Sequence, residues 1–273
     1  MIQTVTTVAE LRAARKGAGR VGMVPTMGAL HDGHLSLVHE ARKHADLVVV
    51  SIFVNPTQFA PHEDFDAYPR TLDADLEKLR GQAELVFTPA AREIYPQGYA
   101  TTISVGGPSA GLESDFRPHF FSGVATVVAK LLLAAQPDIA VFGEKDYQQL
   151  QVVRRMVRDL ALPVTILGAP TLRETDGLAL SSRNAYLSPS ERRTAGRLNV
   201  ILKDAILRAR QGDIGGAEVW AAAALRDAGF DPVDYVAIRD AETLAPIAAF
   251  NRPARILAAA RLGRTRLIDN MPL

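Results

Sequence analysis

Eight consecutive residues, Leu47–Val54 (LVVVSIFV), hold one hydroxyl and no charge. A strand with one wet face alternates apolar and polar residues, whereas an unbroken apolar run belongs to a strand covered on both faces. Such strands occur in parallel sheets, whose crossover helices cover the two faces. The neighbouring sequence supplies the other parts. Val21–Pro25 is a short apolar run, and Leu35, Val38 and Ala41 follow it at helical spacing. Leu72, Leu76 and Leu79 define one face of a helix over Leu72–Leu79. Strands are expected at Leu85–Phe87, Ile139–Phe142 and Val164–Leu167, and helices at Val124–Ala135 and Leu150–Leu160. This alternation predicts an α/β fold, a Rossmann-like parallel sheet flanked by helices.

The pattern changes after Pro170. Thr171–Leu187 is polar and turn-rich, and Ser188-Pro189-Ser190-Glu191 then starts a helix. Ser188 is the expected N-cap, Pro189 the first helical residue and Glu191 the capping-box partner. Helices near 190–210 and 215–228 precede short strands at Val233–Ile238, Ile256–Ala260 and Arg266–Ile268. This predicts two domains: residues 1–171 as a Rossmann-like nucleotide-binding domain, and residues 172–273 as a smaller α+β domain acting as a lid.

Composition excludes several classes of function. The chain has no cysteine, so disulfides, thiolate catalysis and cysteine-ligated metals are ruled out. Its 31 basic and 30 acidic residues leave a formal charge of +1, which argues against a nucleic-acid coat. No apolar stretch approaches the roughly 20 residues of a membrane span. The first residues, MIQTVTTVAELRAARKGAGR, lack a basic start followed by an apolar core. A cytoplasmic protein with no membrane or nucleic-acid partner is therefore expected.

Four segments carry residues suited to chemistry. Pro25-Thr26-Met27-Gly28-Ala29-Leu30-His31-Asp32-Gly33-His34 lies between a strand and a helix. Ligands of open α/β sheets bind at the carboxyl ends of strands, where helix amides attract anions. His31 and His34 are three apart and share a helical face, which suits a phosphate gaining charge. The alternative is a pair of surface histidines at a helix start. Asn55-Pro56-Thr57-Gln58 ends the long apolar run, and its amides suit a small polar substrate or close a turn. Gly143-Glu144-Lys145-Asp146 follows another strand. There Lys145 offers a compact cation, Asp146 either orients it or caps the helix, and Gln149 lies on the first turn. Leu180-Ser181-Ser182-Arg183 places two hydroxyls and a guanidinium in a polar stretch suited to polyphosphate oxygens. Asp64, Asp66, Asp73 and Asp75 form an acidic region that either helps hold Mg²⁺ or is a solvated face. His39, His44 and His62 are expected on the surface, and Trp220 in packing.

Taken together and in this order, these strings resemble the pantothenate synthetase (pantoate–β-alanine ligase) family. The matching stretches are PTMGALHDGHLSLV, SIFVNPTQF, DAYPRTL, FGEKDYQQL and DGLALSSRNAYLS. H-x-G-H alone marks a wider nucleotidyltransferase superfamily. The resemblance implies ATP-dependent condensation of (R)-pantoate with β-alanine to pantothenate, AMP and pyrophosphate through pantoyl adenylate, on the way to coenzyme A. By similarity, Met27, Gly28, Ala29, Leu30, His31, Asp32, Gly33 and His34 bind ATP, with His34 as proton donor. Gly143, Glu144, Lys145, Asp146, Leu172, Leu180, Ser181, Ser182 and Arg183 complete the nucleotide site. His31, His34, Lys145 and Arg183 are the expected catalytic set, and Gln58, Gln149 and Asn55 the substrate contacts. The family implies Mg²⁺ and a cytoplasmic homodimer. One position departs: Arg117-Pro118-His119-Phe120-Phe121 holds Phe120 where the family pattern R-P-x-H-F has histidine.

Overall fold

A computed structural model describes residues 2–59 and 70–273. His62, Asp64 and Asp66 lie outside the described residues. The chain runs β1 (Gln3–Val5), α1 (Val8–Ala14), β2 (Val21–Thr26), α2 (Asp32–Arg42), β3 (Leu47–Ile52), α3 (Leu72–Leu79), β4 (Leu85–Phe87), α4 (Ala91–Ile94), α5 (Glu113–Phe116) and α6 (Phe120–Ala135). It continues with β5 (Ile139–Gly143), α7 (Tyr147–Asp159), β6 (Thr165–Ala169), α8 (Pro189–Ala195), α9 (Arg197–Ala209), α10 (Ile214–Asp227), β7 (Val233–Asp240), β8 (Ala254–Leu262) and β9 (Thr265–Pro272).

Two compact units form. One comprises residues 1–105, 117–144 and 152–170, and the other 106–116, 145–151 and 171–273. The first is built on the six-stranded parallel sheet, in the order β1-β4-β3-β2-β5-β6. Val48, Val49 and Val50 of β3 are all buried, as the continuous apolar run requires. The chain moves from β2 outward through β3 to β4 on one side, and through β5 to β6 on the other. The sheet order therefore reverses between β2 and β5. In open α/β sheets that reversal leaves a crevice at the carboxyl ends of the two strands. Thr26 ends β2 and Gly143 ends β5, so the two motif loops leave the sheet at this position.

The second unit holds the antiparallel sheet β7-β8-β9 packed with α9 and α10 around Leu202, Leu225, Phe230 and Ile256. Residues 145–151 belong to it through specific bonds. Asn270 Nδ2 donates to the Lys145 carbonyl at 2.8 Å, the Tyr147 hydroxyl to the Ala241 carbonyl at 2.9 Å, and the Arg255 guanidinium lies 3.8 Å over the Tyr147 ring.

Several expectations need correction. The helix expected over 190–210 is two helices, α8 and α9, divided at Gly196. A Cβ at Gly196 would meet Asp176 Oδ2 at 2.8 Å, so the division falls where only a glycine fits beside that carboxylate. The Ser188–Glu191 capping box is present as expected. Strands β8 and β9 extend beyond their apolar centres because buried Arg255 and Asn270 pair across them and buried Asp269 is paired with Arg173. The amino-terminal β1 and α1 escape the apolar pattern, although Thr7 and Glu10 form a capping box at α1. No helix among the described residues is long and apolar enough to cross a membrane.

Candidate active site

In the first unit, the loop between β2 and α2 has a shape only certain residues permit. Gly28 has φ 85° and Ala29 φ 51°. A Cβ on Gly28 would stand 3.1 Å from both Asp75 Oδ2 and Ile52 Cγ2. Thr26 Oγ1 donates to the Ser51 carbonyl at 2.8 Å and accepts from the Gly28 amide at 3.2 Å, fastening the loop to β3. The amides of Ala29 and Leu30 donate to Asp75 Oδ2 and Oδ1 at 2.9 and 2.8 Å.

His31 is then the N-cap of α2. Its Nδ1 accepts from the Gly33 amide at 3.1 Å, and His34 Nδ1 accepts from the His31 amide at 3.3 Å. The two histidines thus form a reciprocal capping box in which imidazoles replace the usual hydroxyl and carboxylate. Their rings lie 4.1 Å apart between centroids, tilted by 41°. An Nδ1 that accepts a hydrogen bond carries no proton, so a neutral ring holds its proton on Nε2. Both histidines are thereby fixed as Nε2–H donors. The amides of Ala29, Leu30 and Gly33 are all directed to side chains of Asp75 and His31.

At the end of β3, Asn55 caps the turn Pro56–Gln58. It is only 1% exposed. Its Nδ2 donates to Gln58 Oε1 at 2.9 Å and to the Gly123 carbonyl at 3.2 Å. The Tyr95 hydroxyl donates to Asn55 Oδ1 at 2.7 Å. Asn55 is therefore committed to its neighbours. Holding Gln58 by its oxygen leaves the Gln58 amide group as the donor it can present. Arg117 Nη2 donates to the Gln58 backbone carbonyl at 3.0 Å, and its guanidinium stacks 3.9 Å from the Phe120 ring. Phe120 thus supports Arg117, and His119 is an exposed residue at the start of α6.

The acidic region divides. Asp73 is exposed, as a solvated face requires, but Asp75 is buried under the histidine loop. Among the described residues, no three histidine or acidic side chains are grouped to hold a metal. With Asp75 engaged by two amides, the described residues do not form a protein cage for Mg²⁺.

In the second unit, Lys145 Nζ lies 3.8 Å from Oδ2 of the exposed Asp146. Gln148 is bonded to Glu113, Pro108 and Gly111, whereas Gln149 is half-buried on the first turn of α7. The turn-rich segment folds back on itself. The Leu180 amide donates to the Leu172 carbonyl at 2.9 Å, and Arg173 bridges to Ala179, which brings the two leucines together. Arg173 grips Asp269 through two bonds of 2.7 and 2.8 Å. Arg192 bonds Glu174 and Asp176. Ser181 caps the turn Ser182–Tyr186 by accepting from the Arg183 amide at 3.2 Å. Unlike Arg173 and Arg192, Arg183 has no carboxylate partner among the described residues. Elsewhere, His44 pairs with Glu40 on the surface, His39 is exposed, and Trp220 packs beneath Arg208.

Tyr95, Gly123 and Asn270 carry no motif in the sequence, and Arg117 stands in the R-P-x-H-F pattern without a sign that it holds Gln58. Asp75 did leave a signal: it stands three residues after Leu72 and four before Leu79, on the apolar face of α3.

The chain matches the model of the pantoate–β-alanine ligase family over residues 1–272. It is 60% identical to a pantothenate synthetase of Mesorhizobium japonicum, with 98% of this chain and 97% of that protein covered. It is 59% identical to one of Caulobacter vibrioides over 98% and 97% of the two chains. A pantothenate synthetase crystal structure from Thermus thermophilus superposes with a TM-score of 0.93 at 51% identity, over 99% of both chains. The enzyme of Francisella tularensis, crystallised with β,γ ATP and β-alanine, superposes with 0.83 at 34% identity, covering 99% of this chain and 97% of that one. From the sheet reversal and its histidine capping box to this match along its whole length, the chain belongs to the pantoate–β-alanine ligase family.

Proposed function

We propose that the chain joins pantoate to β-alanine in two steps, with the histidine capping box acting on the phosphates of ATP. Family membership makes it a carbon–nitrogen ligase that forms pantothenate with ATP. In the first step a pantoate carboxylate oxygen attacks the α-phosphorus. The bond to the β-phosphate breaks, and pyrophosphate leaves with the electron pair. In the second step the β-alanine amine attacks the acyl carbon of pantoyl adenylate, AMP leaves, and the amine gives up a proton.

The first step brings an anion onto a polyanion, so donors must meet the charge that builds on the phosphate oxygens. His31 and His34, fixed as Nε2–H donors, suit that role, with His34 supplying the hydrogen bond to the reacting phosphate. Lys145, and Arg183 with no carboxylate partner among the described residues, are assigned to the phosphates of ATP. Met27, Gly28, Asp32, Gly33, Gly143, Glu144, Leu172, Leu180, Ser181 and Ser182 contact the nucleotide, while Ala29 and Leu30 shape the loop. Gln58 and Gln149 hold pantoate, and Asn55 positions Gln58 rather than touching the substrate. Mg²⁺ bound with the nucleotide would offset the charge of its phosphates. We assign residues 1–171 to nucleotide and pantoate binding and residues 172–273 to a lid, in a cytoplasmic homodimer that engages neither membrane nor nucleic acid.

The observation that carries this reading is the pair of imidazoles locked by their Nδ1 atoms at the helix start beside the sheet reversal. Exchange of labelled pyrophosphate into ATP tests it. Exchange is expected with pantoate and without β-alanine. Exchange supported by another hydroxy acid but not by pantoate would refute it.

A further inference from the structure

We propose that Asp75 and Lys78 of α3 are positioning residues for the adenylation step, acting through the loop that carries His31 and His34. The inference rests on the two-step reading above and assigns work to residues that touch neither substrate. Asp75 has no exposed surface. Its two carboxyl oxygens take successive backbone amides, Oδ2 that of Ala29 and Oδ1 that of Leu30. Thr71 Oγ1 donates to Oδ2 at 3.3 Å and orients the group. Lys78, one turn later, donates from Nζ to the Leu30 carbonyl at 2.5 Å. Leu30 is thus held at its N–H by one side chain of α3 and at its C=O by another. The next residue is His31, the N-cap of α2.

A loop that merely joined β2 to α2 would not need this arrangement. Ala29 occupies the left-handed region, which an L-residue with a Cβ enters unfavourably. Two adjacent amide protons that converge on one point need an acceptor when they are buried. A carboxyl group taken out of water likewise needs donors. Each requirement answers the other, and the result fixes the direction from which His31 and His34 start. Because both rings are also bonded through the backbone of this same turn, any rotation of the Ala29–Leu30 peptide is passed to both Nε2–H donors.

The test is Asp75→Asn. It preserves volume but sets an NH₂ group against one of the two amide donors. The rate of pantoate-dependent pyrophosphate exchange is expected to fall about 10²-fold, the loss that follows a displacement of roughly 1 Å at a reacting centre. The KM for pantoate should stay within about twofold, because Gln58 is held by other elements. The second step, measured with β-alanine and synthetic pantoyl adenylate, should keep its wild-type rate. In the ¹⁵N imidazole spectrum, the Nδ1 signals of His31 and His34 should lose the pattern of unprotonated acceptors. Lys78→Met, at an exposed site, should lower the exchange rate in the same way by a smaller factor. Wild-type exchange in either variant, or equal losses in both steps, would overturn the proposal. Failure of the wild-type protein to exchange with pantoate would instead reject the functional reading.

Discussion

Gly123 offers a sharp test of how the Gln58 turn is held. It lies in the first turns of the buried helix α6, where glycine ordinarily costs helix stability relative to alanine. A Cβ added there would meet the Thr57 carbonyl oxygen at 2.5 Å and its carbon at 2.9 Å. Ordinary van der Waals contact begins at 3.4 Å, so the backbone between Asn55 and Gln58 must retreat by about 0.9 Å in Gly123→Ala. The same glycine accepts Asn55 Nδ2 through its carbonyl at 3.2 Å, and that nitrogen also holds Gln58 Oε1. The retreat therefore separates the bonds that aim Gln58. A misplacement of this size costs about 10²-fold in a step that depends on orientation, and overpacking costs stability by about 1–3 kcal/mol. The assay is pyrophosphate exchange at varied pantoate, with ATP affinity measured separately by calorimetry. A loss of about 10²-fold in kcat/KM for pantoate with unchanged ATP affinity is expected. Unchanged kcat/KM for pantoate would show that Gln58 is not the pantoate contact or that α6 does not support it.

Further predictions follow from neighbouring contacts. His34→Asn keeps an acceptor near the Nδ1 position but removes the Nε2–H donor. It should retain the wild-type melting temperature while exchange falls about 10²–10³-fold, and a full rate would remove His34 from the chemistry. Burial raises the pKa of the Tyr95 hydroxyl above the ordinary tyrosine range, so it stays a donor to Asn55 at ordinary pH. Tyr95→Phe should raise the KM for pantoate about fivefold, the worth of roughly 1 kcal/mol of hydrogen bonding, and kinetics at saturating ATP would check it. The Thr243 amide, followed by the Thr243 hydroxyl and the Glu242 amide, holds the pKa of the Asp240 carboxyl below the ordinary carboxylate range. A lowered folded-state value stabilises above the unfolded value and ceases to do so as pH falls through the folded one. Asp240→Ala should therefore cost about 1–3 kcal/mol in urea denaturation at pH 7 and progressively less below pH 3.8, and an equal cost at both pH values would contradict the assignment.

Much of the first unit was legible because a parallel sheet writes itself in apolar runs. Val48–Val50 are buried on both faces of β3, and Leu72–Leu79 is a helix as its spacing predicts, although Leu79 is buried and Leu72 is exposed. The histidine pair was legible as a pair, three residues apart at a strand end. Its tautomer was not, because that depends on which backbone amides meet Nδ1. From sequence, Asp75 stands among acidic neighbours that suggest either a metal ligand or a solvated face. Its burial depends on a loop 45 residues earlier in the chain that turns two amides toward it. Asn55 was expected to touch substrate, yet Tyr95 and Gly123, 40 and 68 residues away, engage it from other elements. Local pattern identifies the loops that carry chemistry, and long-range bonds decide which atoms of those loops remain available.

Isotope transfer separates adenylation from every other use of ATP. Pantoate labelled with ¹⁸O in its carboxylate should pass one labelled oxygen to the phosphate of AMP for each pantothenate formed, since that oxygen bridges carbon and phosphorus in pantoyl adenylate. Unlabelled AMP with the label in pyrophosphate, or a stable nucleotide–pantoate conjugate that β-alanine does not discharge, would contradict the account.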